Sequence, residues 1–269
     1  MQLPQHVLVS MQKRLFKFYK IVIWSGIVIL PAVLSSYIKT NDLSRSIKKD
    51  GCKNVLSAGD TAWMVGIARR IITPSTDVWL AGYGVKRPAE GKIHDIWVKV
   101  LALKSGNGKR AVMVTTDNQG MSRTIYESLY QKIYERFRLD RSEFMLTFSH
   151  NHSGPCLRGD LVDYYPGDDQ QRKLVDEYSD WMERQIIDAT DEALKNLQPA
   201  QIFKGEGLCS FAVNRRDNIE SEVPAMLEAG KPLNGATDHY VPVLSVKNTK
   251  GALIAVLFGY ACHPTTLSG

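Results

Sequence analysis

The stretch FMLTFSHNHSGP, residues 144–155, decides how the rest of the chain can be arranged. Its first half is short and apolar and follows a charged segment, which predicts a buried strand. Its second half ends in Ser-Gly-Pro, which cannot continue a strand. We therefore expect His150 and His152 at the carboxyl end of that strand, which is the edge where open α/β sheets bind ligands.

The two histidines of this stretch are separated by one residue, Asn151. On an extended backbone, residues two apart point to the same side, so His150 and His152 are expected to reach one cavity. A neutral imidazole is the commonest protein ligand of zinc and a frequent general acid or base near neutral pH. Taken alone, the HxH pattern favours the alternative of two ordinary polar loop residues.

The residues before this stretch predict a strand followed by a helix. Residues 110–116 are apolar and run into the sequence TTDNQGM. Ser122 is a suitable N-cap for a helix, and the apolar stripe of that helix contains Ile125, Leu129, Ile133 and Phe137. A strand, a helix and a second strand make a βαβ unit, so Asp117 and His150 should lie at one edge of the sheet if the two strands are parallel neighbours.

Further strands are predicted on both sides of this unit. The strand-like segments are residues 64–72, 96–103, 202–213, 241–246 and 252–261, and residues 170–197 carry the apolar stripe of a long helix. Short turns at residues 106–108 and 248–251 predict hairpins. The expected fold class is α/β, with mixed β-sheets flanked by helices and with catalytic residues at the carboxyl ends of strands.

Two of the predicted strands are followed by further polar residues. The strand 202–213 runs into NRRDN, which contains Arg215, and the strand 252–261 is followed by His263. An arginine at such a position suits stabilisation of an oxyanion, although a surface salt bridge explains the same residue equally well. The glycine-rich run VWLAGYG, which begins at Val78, is typical of backbone close to a ligand.

A catalytic zinc ion takes three protein ligands of the His, Asp or Glu type and keeps one position open for water. His150 and His263 are candidates for two of these ligands. Either His152 or Asp117 completes such a set, and the spacing alone does not choose between them.

The charge balance argues against a nucleic-acid partner. The formal net charge is +6, but residues 1–36 carry four cations and no acidic residue, and the remainder has 30 basic against 28 acidic residues. No basic stripe with interleaved aromatics is present, so the class of nucleic-acid-binding proteins is excluded.

The first 36 residues have the layout of a signal peptide or a membrane anchor. The uncharged apolar run IVIWSGIVILPAVL, residues 21–34, follows the basic segment KRLFKFYK and precedes two serines. Both alternatives export the rest of the chain, so a periplasmic, secreted or membrane-anchored protein is expected. We predict a linker over residues 37–60 and one folded domain over residues 61–269.

Four cysteines are expected in the exported part, Cys52, Cys156, Cys209 and Cys262. An even number permits disulfides in an oxidising compartment. A bridge between Cys156 and Cys262 would connect two segments that carry histidines. The alternative, which we favour, is that both are small buried hydrophobic residues.

Six segments resemble, in order and at similar intervals, the N-terminal catalytic domain of neutral/alkaline (non-lysosomal) ceramidases. They are VGIARRIITP, GYGVKRPAEGKIHDIWVKVLAL, AVMVTTDNQGM, FSHNHSGP, AVNRRDN and VLSVKNTKGALIAVLFGYACHPTT. The resemblance covers about residues 63–269, and its most specific parts are the HxHSGP motif and the later strand followed by histidine. The family's THTHSGP motif stands here as FSHNHSGP.

This resemblance implies a zinc-dependent amidase that splits the N-acyl bond of ceramide into a fatty acid and a sphingoid base. By position in the motifs, His150 and His263 correspond to zinc ligands. His152 corresponds to a catalytic residue that hydrogen-bonds the substrate or an intermediate, and Arg215 to an arginine in the same pocket. The implied partners are a lipid or N-acyl amide substrate and a membrane surface; the oligomeric state does not follow from the sequence.

The sequence also departs from the family. The family's other zinc ligands, a glutamate and a tyrosine, and a serine of its catalytic site lie further along the chain than Gly269, so we expect this chain alone to be inactive. Arg216 stands where a small residue is expected. The alternatives are a related zinc hydrolase that acts on another N-acyl amide or an ester, and a non-catalytic lipid-binding relative.

Overall fold

The computed structural model describes residues 63–83, 87–160 and 169–264, which contain seven strands and two long helices. The predicted signal peptide or anchor, the linker and Cys52 lie outside the described residues. The elements are β1 (Trp63–Ile71), β2 (Trp97–Lys104), β3 (Arg110–Thr116), α1 (Arg123–Phe137), β4 (Phe144–Phe148), α2 (Asp169–Lys195), β5 (Gln198–Leu208), a short α3 (Val223–Glu228), β6 (Tyr240–Asn248) and β7 (Leu253–Phe258).

All seven strands form one mixed sheet in the order β4-β3-β2-β1-β5-β6-β7. β3 and β4 are parallel, with Val112 opposite Phe144 and Thr116 opposite Phe148, whereas the other neighbouring strands are antiparallel. The predicted α/β class is therefore confirmed, with one sheet where several were expected. The parallel pair confirms the βαβ unit and places the ends of β3 and β4 at the same edge.

Helix α1 makes the crossover between these two parallel strands. Its N-terminus is capped as predicted, because the Ser122 hydroxyl accepts a hydrogen bond from the Ile125 backbone N–H at 3.4 Å. The predicted stripe is buried at Ile125, Leu129 and Ile133. The helix ends at Phe137 and is capped by Arg138, which has a left-handed backbone and whose N–H bonds the carbonyl of Tyr134.

Both long helices pack against the same side of the sheet. The main core joins their apolar stripes to alternate residues of β1 to β4, and it includes Val98, Val100, Val112, Val114, Ile125, Leu129, Met182 and Ile186. A second cluster on the opposite side consists of strand residues such as Val65, Leu101 and Val246. Among the described residues, both long helices therefore flank the sheet on one face.

Two strands end earlier than the sequence predicted. β5 ends at Leu208 rather than at residue 213, because its partner β6 begins only at Tyr240, which pairs with Leu208. β7 ends at Phe258 rather than at residue 261, and the last ladder-like bond runs from the Gly259 N–H to the Pro242 carbonyl at 3.2 Å. Because Pro242 has no N–H to donate, the pairing of β7 with β6 cannot extend further in the regular pattern.

These early ends correct part of the expectation for the site. His150 follows β4 by two residues, but Arg215 and His263 lie well beyond the ends of β5 and β7 and are carried by loops. None of the helices in the described ranges is long and apolar enough to cross a membrane.

Candidate metal centre

The first part of the site is residues 149–157, which follow β4 and are named the first arm here. Its start continues the sheet: the Ser149 N–H bonds the Thr116 carbonyl at 3.0 Å, and the His150 N–H bonds the Asn118 carbonyl at 3.0 Å. His150 then adopts a left-handed backbone with φ 54°. The extended backbone that was predicted to align the two histidines is therefore wrong, although their rings still meet, with centroids 5.3 Å apart.

The ring of His150 is oriented by the turn that follows β3. Its Nδ1 lies 2.6 Å from the backbone carbonyl of Gln119. A carbonyl only accepts hydrogen bonds, so Nδ1 carries the proton and Nε2 keeps its lone pair. Metal-binding histidines are held in the same way, by a hydrogen bond to the nitrogen that does not bind the metal.

His152 is enclosed by the segment that begins with the glycine-rich run. A Cβ atom on Gly82 would lie 2.6 Å from Cβ of His152, so glycine is required for this approach. The Arg87 guanidinium donates to the His152 carbonyl at 3.0 Å, and the Tyr83 ring meets the His152 ring edge-on with centroids 5.0 Å apart. The run therefore lies against one of the candidate site residues, and its predicted closeness to a ligand stays a prediction.

The rest of the first arm is held by the same segment. The Ala81 N–H bonds the Gly154 carbonyl at 2.9 Å, and the Cys156 N–H bonds the Trp79 carbonyl at 2.7 Å. A Cβ atom on Gly154 would lie 2.8 Å from the Asn151 side-chain oxygen and 3.3 Å from the Asp117 carbonyl. Glycine is therefore needed at position 154 for a tight passage between neighbouring segments.

His263 belongs to the second arm, residues 259–263, which follows β7. Its ring centroid lies 4.8 Å from that of His150 and 4.7 Å from that of His152. Its Nε2 is 2.7 Å from Nε2 of His152. The structure thus brings together the three histidines that the sequence singled out.

Arg215 reaches the same place from the loop of residues 209–218, named the bridging loop here. Its Nη2 lies 3.0 Å from Nδ1 of His263. A guanidinium has no acceptor, so Arg215 donates to this nitrogen. The carboxylate of Glu220 is 3.9 Å away, so Arg215 contacts both an imidazole and an exposed acidic group.

Tyr260 ties the second arm to the bridging loop, and sequence reasoning missed it. Its hydroxyl donates to the Cys209 carbonyl at 2.6 Å and accepts from the Ala212 N–H at 3.0 Å. The Phe211 ring packs against the Tyr260 ring with centroids 4.8 Å apart. The only signal in the sequence was its position three residues before His263, which does not distinguish it from a residue of the predicted strand.

The three histidines form a group suited to a metal ion. One ligand nitrogen from each of His150, His152 and His263 lies within 4.8 Å of the others. Imidazole donors suit zinc and similar transition metals rather than magnesium or calcium. The orientation of His150 by Gln119 also fits a metal site, so the chemistry of the residues present agrees with a zinc ion.

Asp117 is not part of this group. Its carboxylate accepts a hydrogen bond from the Trp97 backbone N–H at 3.0 Å and lies 3.8 Å from the Lys99 ammonium. The alternative in which Asp117 completes the ligand set is therefore wrong. Its side chain instead holds the end of β3 against β2.

The environment favours neutral imidazoles at two positions. Burial lowers the pKa of His152, and the neighbouring His263, His150, Arg215 and Arg87 lower it further. Burial also lowers the pKa of His263, with His150 and Arg215 acting in the same direction. A neutral imidazole is the form that binds a metal ion, so these shifts support the same use of the site.

The cysteines do not connect the two arms. Cys262 is a free thiol, as is Cys209, so the bridge between Cys156 and Cys262 is not formed. Cys156 is 4% exposed and packs with Trp79 and Ala81, as expected for a small buried hydrophobic residue. Cys262 is only partly buried, so the same expectation is not met there.

Comparisons with known proteins agree with this architecture. Residues 63–269 match the model of a family described as neutral/alkaline non-lysosomal ceramidase, N-terminal. Among solved structures, neutral ceramidase from Pseudomonas aeruginosa has a TM-score of 0.61 at 20% identity, over 78% of this chain and 33% of that chain. A structure described as ceramidase complexed with C2 has a TM-score of 0.59 at 20% identity, over 77% and 32%.

A search of curated proteins finds no match. The chain spans about a third of the length of the two solved structures. At 20% identity, this structural likeness shows the fold.

Proposed function

Because the chain belongs to the neutral/alkaline non-lysosomal ceramidase family, we propose that it carries zinc ligands and catalytic residues of an amidohydrolase that cleaves the N-acyl bond of ceramide. In this reaction the amide C–N bond breaks, the oxygen of water bonds to the acyl carbon, and the nitrogen leaves as the amine of a sphingoid base. The observation that carries the proposal is the convergence of three histidine nitrogens within 4.8 Å, with Arg215 in contact with His263.

His150 and His263 are the proposed zinc ligands, and a metal ion on His263 would take the place of one of the two hydrogen-bond partners of that ring, Arg215 at Nδ1 or His152 at Nε2. The hydrogen bond from His150 Nδ1 to the Gln119 carbonyl supports this role, since it leaves Nε2 available. Zinc bound there would supply a Lewis acid for the amide carbonyl and lower the pKa of water. In the family, further ligands come from residues beyond the range of this chain.

His152 is the proposed proton-transfer residue and hydrogen-bonding partner of the substrate. Its lowered pKa keeps the ring neutral near pH 7, so that it can accept a proton and return it to the departing nitrogen. Gly82 and Arg87 fix its backbone, which holds the ring at one place beside the proposed zinc ligands. A general base that is already oriented increases the rate of the reaction, because it does not have to reorient to reach the transition state.

Arg215 is the proposed stabiliser of the oxyanion that forms on the acyl carbonyl. Its guanidinium lies next to the histidine group and can donate hydrogen bonds in a planar fork. The bridging loop is shaped by Asn214, whose side-chain oxygen accepts from the backbone N–H groups of Arg216 and Asp217 at 3.0 and 3.3 Å. The Arg216 side chain is exposed, and it is the departure from the family that bears on substrate choice.

The predicted leader adds a proposal about location. Either a signal peptide or an anchor would export the domain, and an exported ceramidase would meet its lipid substrate at a membrane surface. This part of the proposal rests on residues 1–36 of the sequence.

The test is to measure zinc content and hydrolysis of N-acyl-sphingosine on the protein expressed to its natural stop codon, beside the 269-residue chain and a His150→Ala variant. We expect one zinc per protein and ceramide hydrolysis in the first sample, with both lost in the variant, and no hydrolysis by the 269-residue chain. If the first sample binds zinc but does not hydrolyse ceramide, the proposed substrate is wrong, and other N-acyl amides or esters should be tested. If the first sample neither binds zinc nor hydrolyses ceramide, the proposal of an enzyme is overturned and a lipid-binding relative is favoured.

A further inference from the structure

We propose that Asn118 is a positioning residue for the metal centre, which acts by shaping the turn after β3 that holds His150. The inference rests on the proposed zinc site, and Asn118 itself is not proposed to touch the metal. Its role would be to fix two backbone carbonyls against one ligand.

The side chain of Asn118 spans the turn that contains it. It is 1% exposed, and its Oδ1 accepts a hydrogen bond from the hydroxyl of Thr116, which is also buried. Its Nδ2 donates to the Gly120 carbonyl at 2.6 Å. The amide oxygen and the amide nitrogen of Asn118 therefore connect Thr116, at the end of β3, with Gly120.

The turn presents two consecutive carbonyls to the same histidine. The Asn118 carbonyl accepts from the backbone N–H of His150 at 3.0 Å, and the Gln119 carbonyl accepts from ring Nδ1 at 2.6 Å. One bond fixes the main chain of His150 and the other fixes its ring. Together they define where Nε2 points.

These two hydrogen bonds matter because they are the hydrogen bonds that fix the backbone and the ring orientation of His150. The residue is exposed, and its φ of 54° is unfavourable for a side chain with a Cβ atom. Its ring also meets the rings of His152 and His263 and lies near enough to the Asp160 carboxyl to act on it electrostatically. Without the turn the orientation of this ring would be less restricted, and a ligand that must first be ordered binds metal more weakly.

Asparagine is the side chain that the turn requires. Aspartate has the same shape and can still accept from Thr116, but it cannot donate to the Gly120 carbonyl, and it would place a negative oxygen against that carbonyl. Alanine removes both bonds. The two substitutions therefore loosen the turn by different routes.

The experiment measures the affinity of the 269-residue chain for Zn²⁺, by competition with a chromophoric chelator, in the wild type and in Asn118→Asp, Asn118→Ala and His150→Ala variants. We expect both Asn118 variants to bind zinc about 10- to 100-fold more weakly, the range found for residues that orient metal ligands. The visible spectrum of bound Co²⁺ reports ligand geometry and should change in both. The matched control is Asn107→Ala, in the exposed turn at the other end of β3, where the Asn107 side-chain oxygen accepts from the Lys109 backbone N–H at 3.4 Å; this variant should bind zinc as the wild type does.

Thermal unfolding in chelator separates positioning from folding. A positioning role is supported if Asn118→Asp stays folded and still binds zinc more weakly. The inference is overturned if His150→Ala weakens binding while both Asn118 variants bind as the wild type, or if both Asn118 variants unfold in chelator. If His150→Ala itself has no effect, the proposed zinc site fails instead.

Discussion

The two halves of the sheet differ in how firmly they hold the site. Strands β1 to β4 are covered by both long helices, and their helix-facing residues Val98, Val100, Val112 and Val114 are no more than 2% exposed. In β5 to β7, Leu208 is 81% and Phe258 is 56% exposed. The first half therefore offers a rigid support, and the second offers a much more open one.

The two arms of the site inherit this difference. The first arm is bonded to the turn after β3 and to the segment around Gly82 along most of its length. Among the described residues, the second arm is joined to the bridging loop chiefly by the Tyr260 hydroxyl. One proposed ligand, His150, is thus oriented before any metal ion binds, whereas the orientation of His263 depends on a few local hydrogen bonds.

The largest expected effect of a single substitution is at Gly66, in the supported half. A Cβ atom there would lie 1.8 Å from the backbone carbonyl oxygen of Ala193 in α2, a contact that only a shift of the whole helix can relieve. Gly66→Val should lower the free energy of unfolding by at least about 3 kcal/mol, since overpacking against backbone cannot be absorbed by rotamers. Urea unfolding followed by circular dichroism measures it.

The matched control is Gly207→Val in β5, in the open half. Nothing lies within 4 Å of a Cβ atom at Gly207, and the residue is exposed. We expect a change of less than about 0.5 kcal/mol, as for ordinary surface substitutions. If Gly66→Val and Gly207→Val lower the free energy of unfolding equally, the two halves of the sheet do not differ in packing as described.

The second expected effect concerns metal affinity. His263→Ala should lower zinc affinity severely, by roughly 100-fold or more, because it removes a ligand rather than an orienting group. His152→Ala should leave zinc bound and lower turnover by about 100- to 10,000-fold, the range for a general acid or base. Chelator competition and the hydrolysis assay on the protein expressed to its natural stop codon measure the two quantities separately.

The geometry makes this a sharp test, since the nitrogens of all three histidines lie within 4.8 Å. Equal loss of metal from His152→Ala and His263→Ala would mean that His152 is a ligand as well. The assignment of roles taken from the family would then be wrong for this chain.

A smaller effect is expected from Tyr260→Phe, which removes the hydroxyl that joins the second arm to the bridging loop. Zinc affinity should fall by roughly 3- to 10-fold, the equivalent of one ordinary hydrogen bond, because His263 and Arg215 are then ordered only on binding. The control is Tyr240→Phe, which removes a hydroxyl bonded to Glu206 at 2.9 Å in the same half. If the two variants bind zinc equally well, the second arm is held by something other than Tyr260.

The supported half was the part that could be predicted from the sequence. The apolar strands around Val112 and Phe144, the capped helix after Ser122 and the parallel pairing follow from local patterns that agree with one another. The open half was predicted less well, because an apolar run such as residues 202–213 does not show where its partner strand begins. That limit is set by Tyr240 and Pro242, which lie on another strand.

The site was predictable as a set of residue types and not as a geometry. His150, His152, His263 and Arg215 could be selected because their chemistry is unusual at the ends of apolar runs. Asn118 and Tyr260 could not, because they act through backbone carbonyls and N–H groups that the sequence does not distinguish. The left-handed backbone of His150 was missed for the same reason, since no glycine marks it.

The smallest expected effect is a pH dependence at Arg158, the residue after the first arm, which hydrogen-bonds α2. Its backbone N–H bonds the Ser179 hydroxyl at 2.9 Å, and its guanidinium lies 2.6 Å from the Asp180 carboxylate. The hydrogen bond from Arg158 lowers the pKa of Asp180 below its ordinary value of 3.8. The folded state therefore favours the charged carboxylate, so this contribution to stability is present above pH 3.8 and is lost as the pH falls through the lowered pKa.

Asp180→Asn should accordingly cost less than about 1 kcal/mol at pH 7, because the pair is exposed and screened by solvent. The difference between wild type and variant in urea unfolding should shrink as the pH is lowered towards 3. If it keeps its size there, the loss comes from packing rather than from charge. A cost well above that range would show that the connection of Arg158, directly after the first arm, to α2 depends mainly on Asp180 and not on the backbone bond to Ser179.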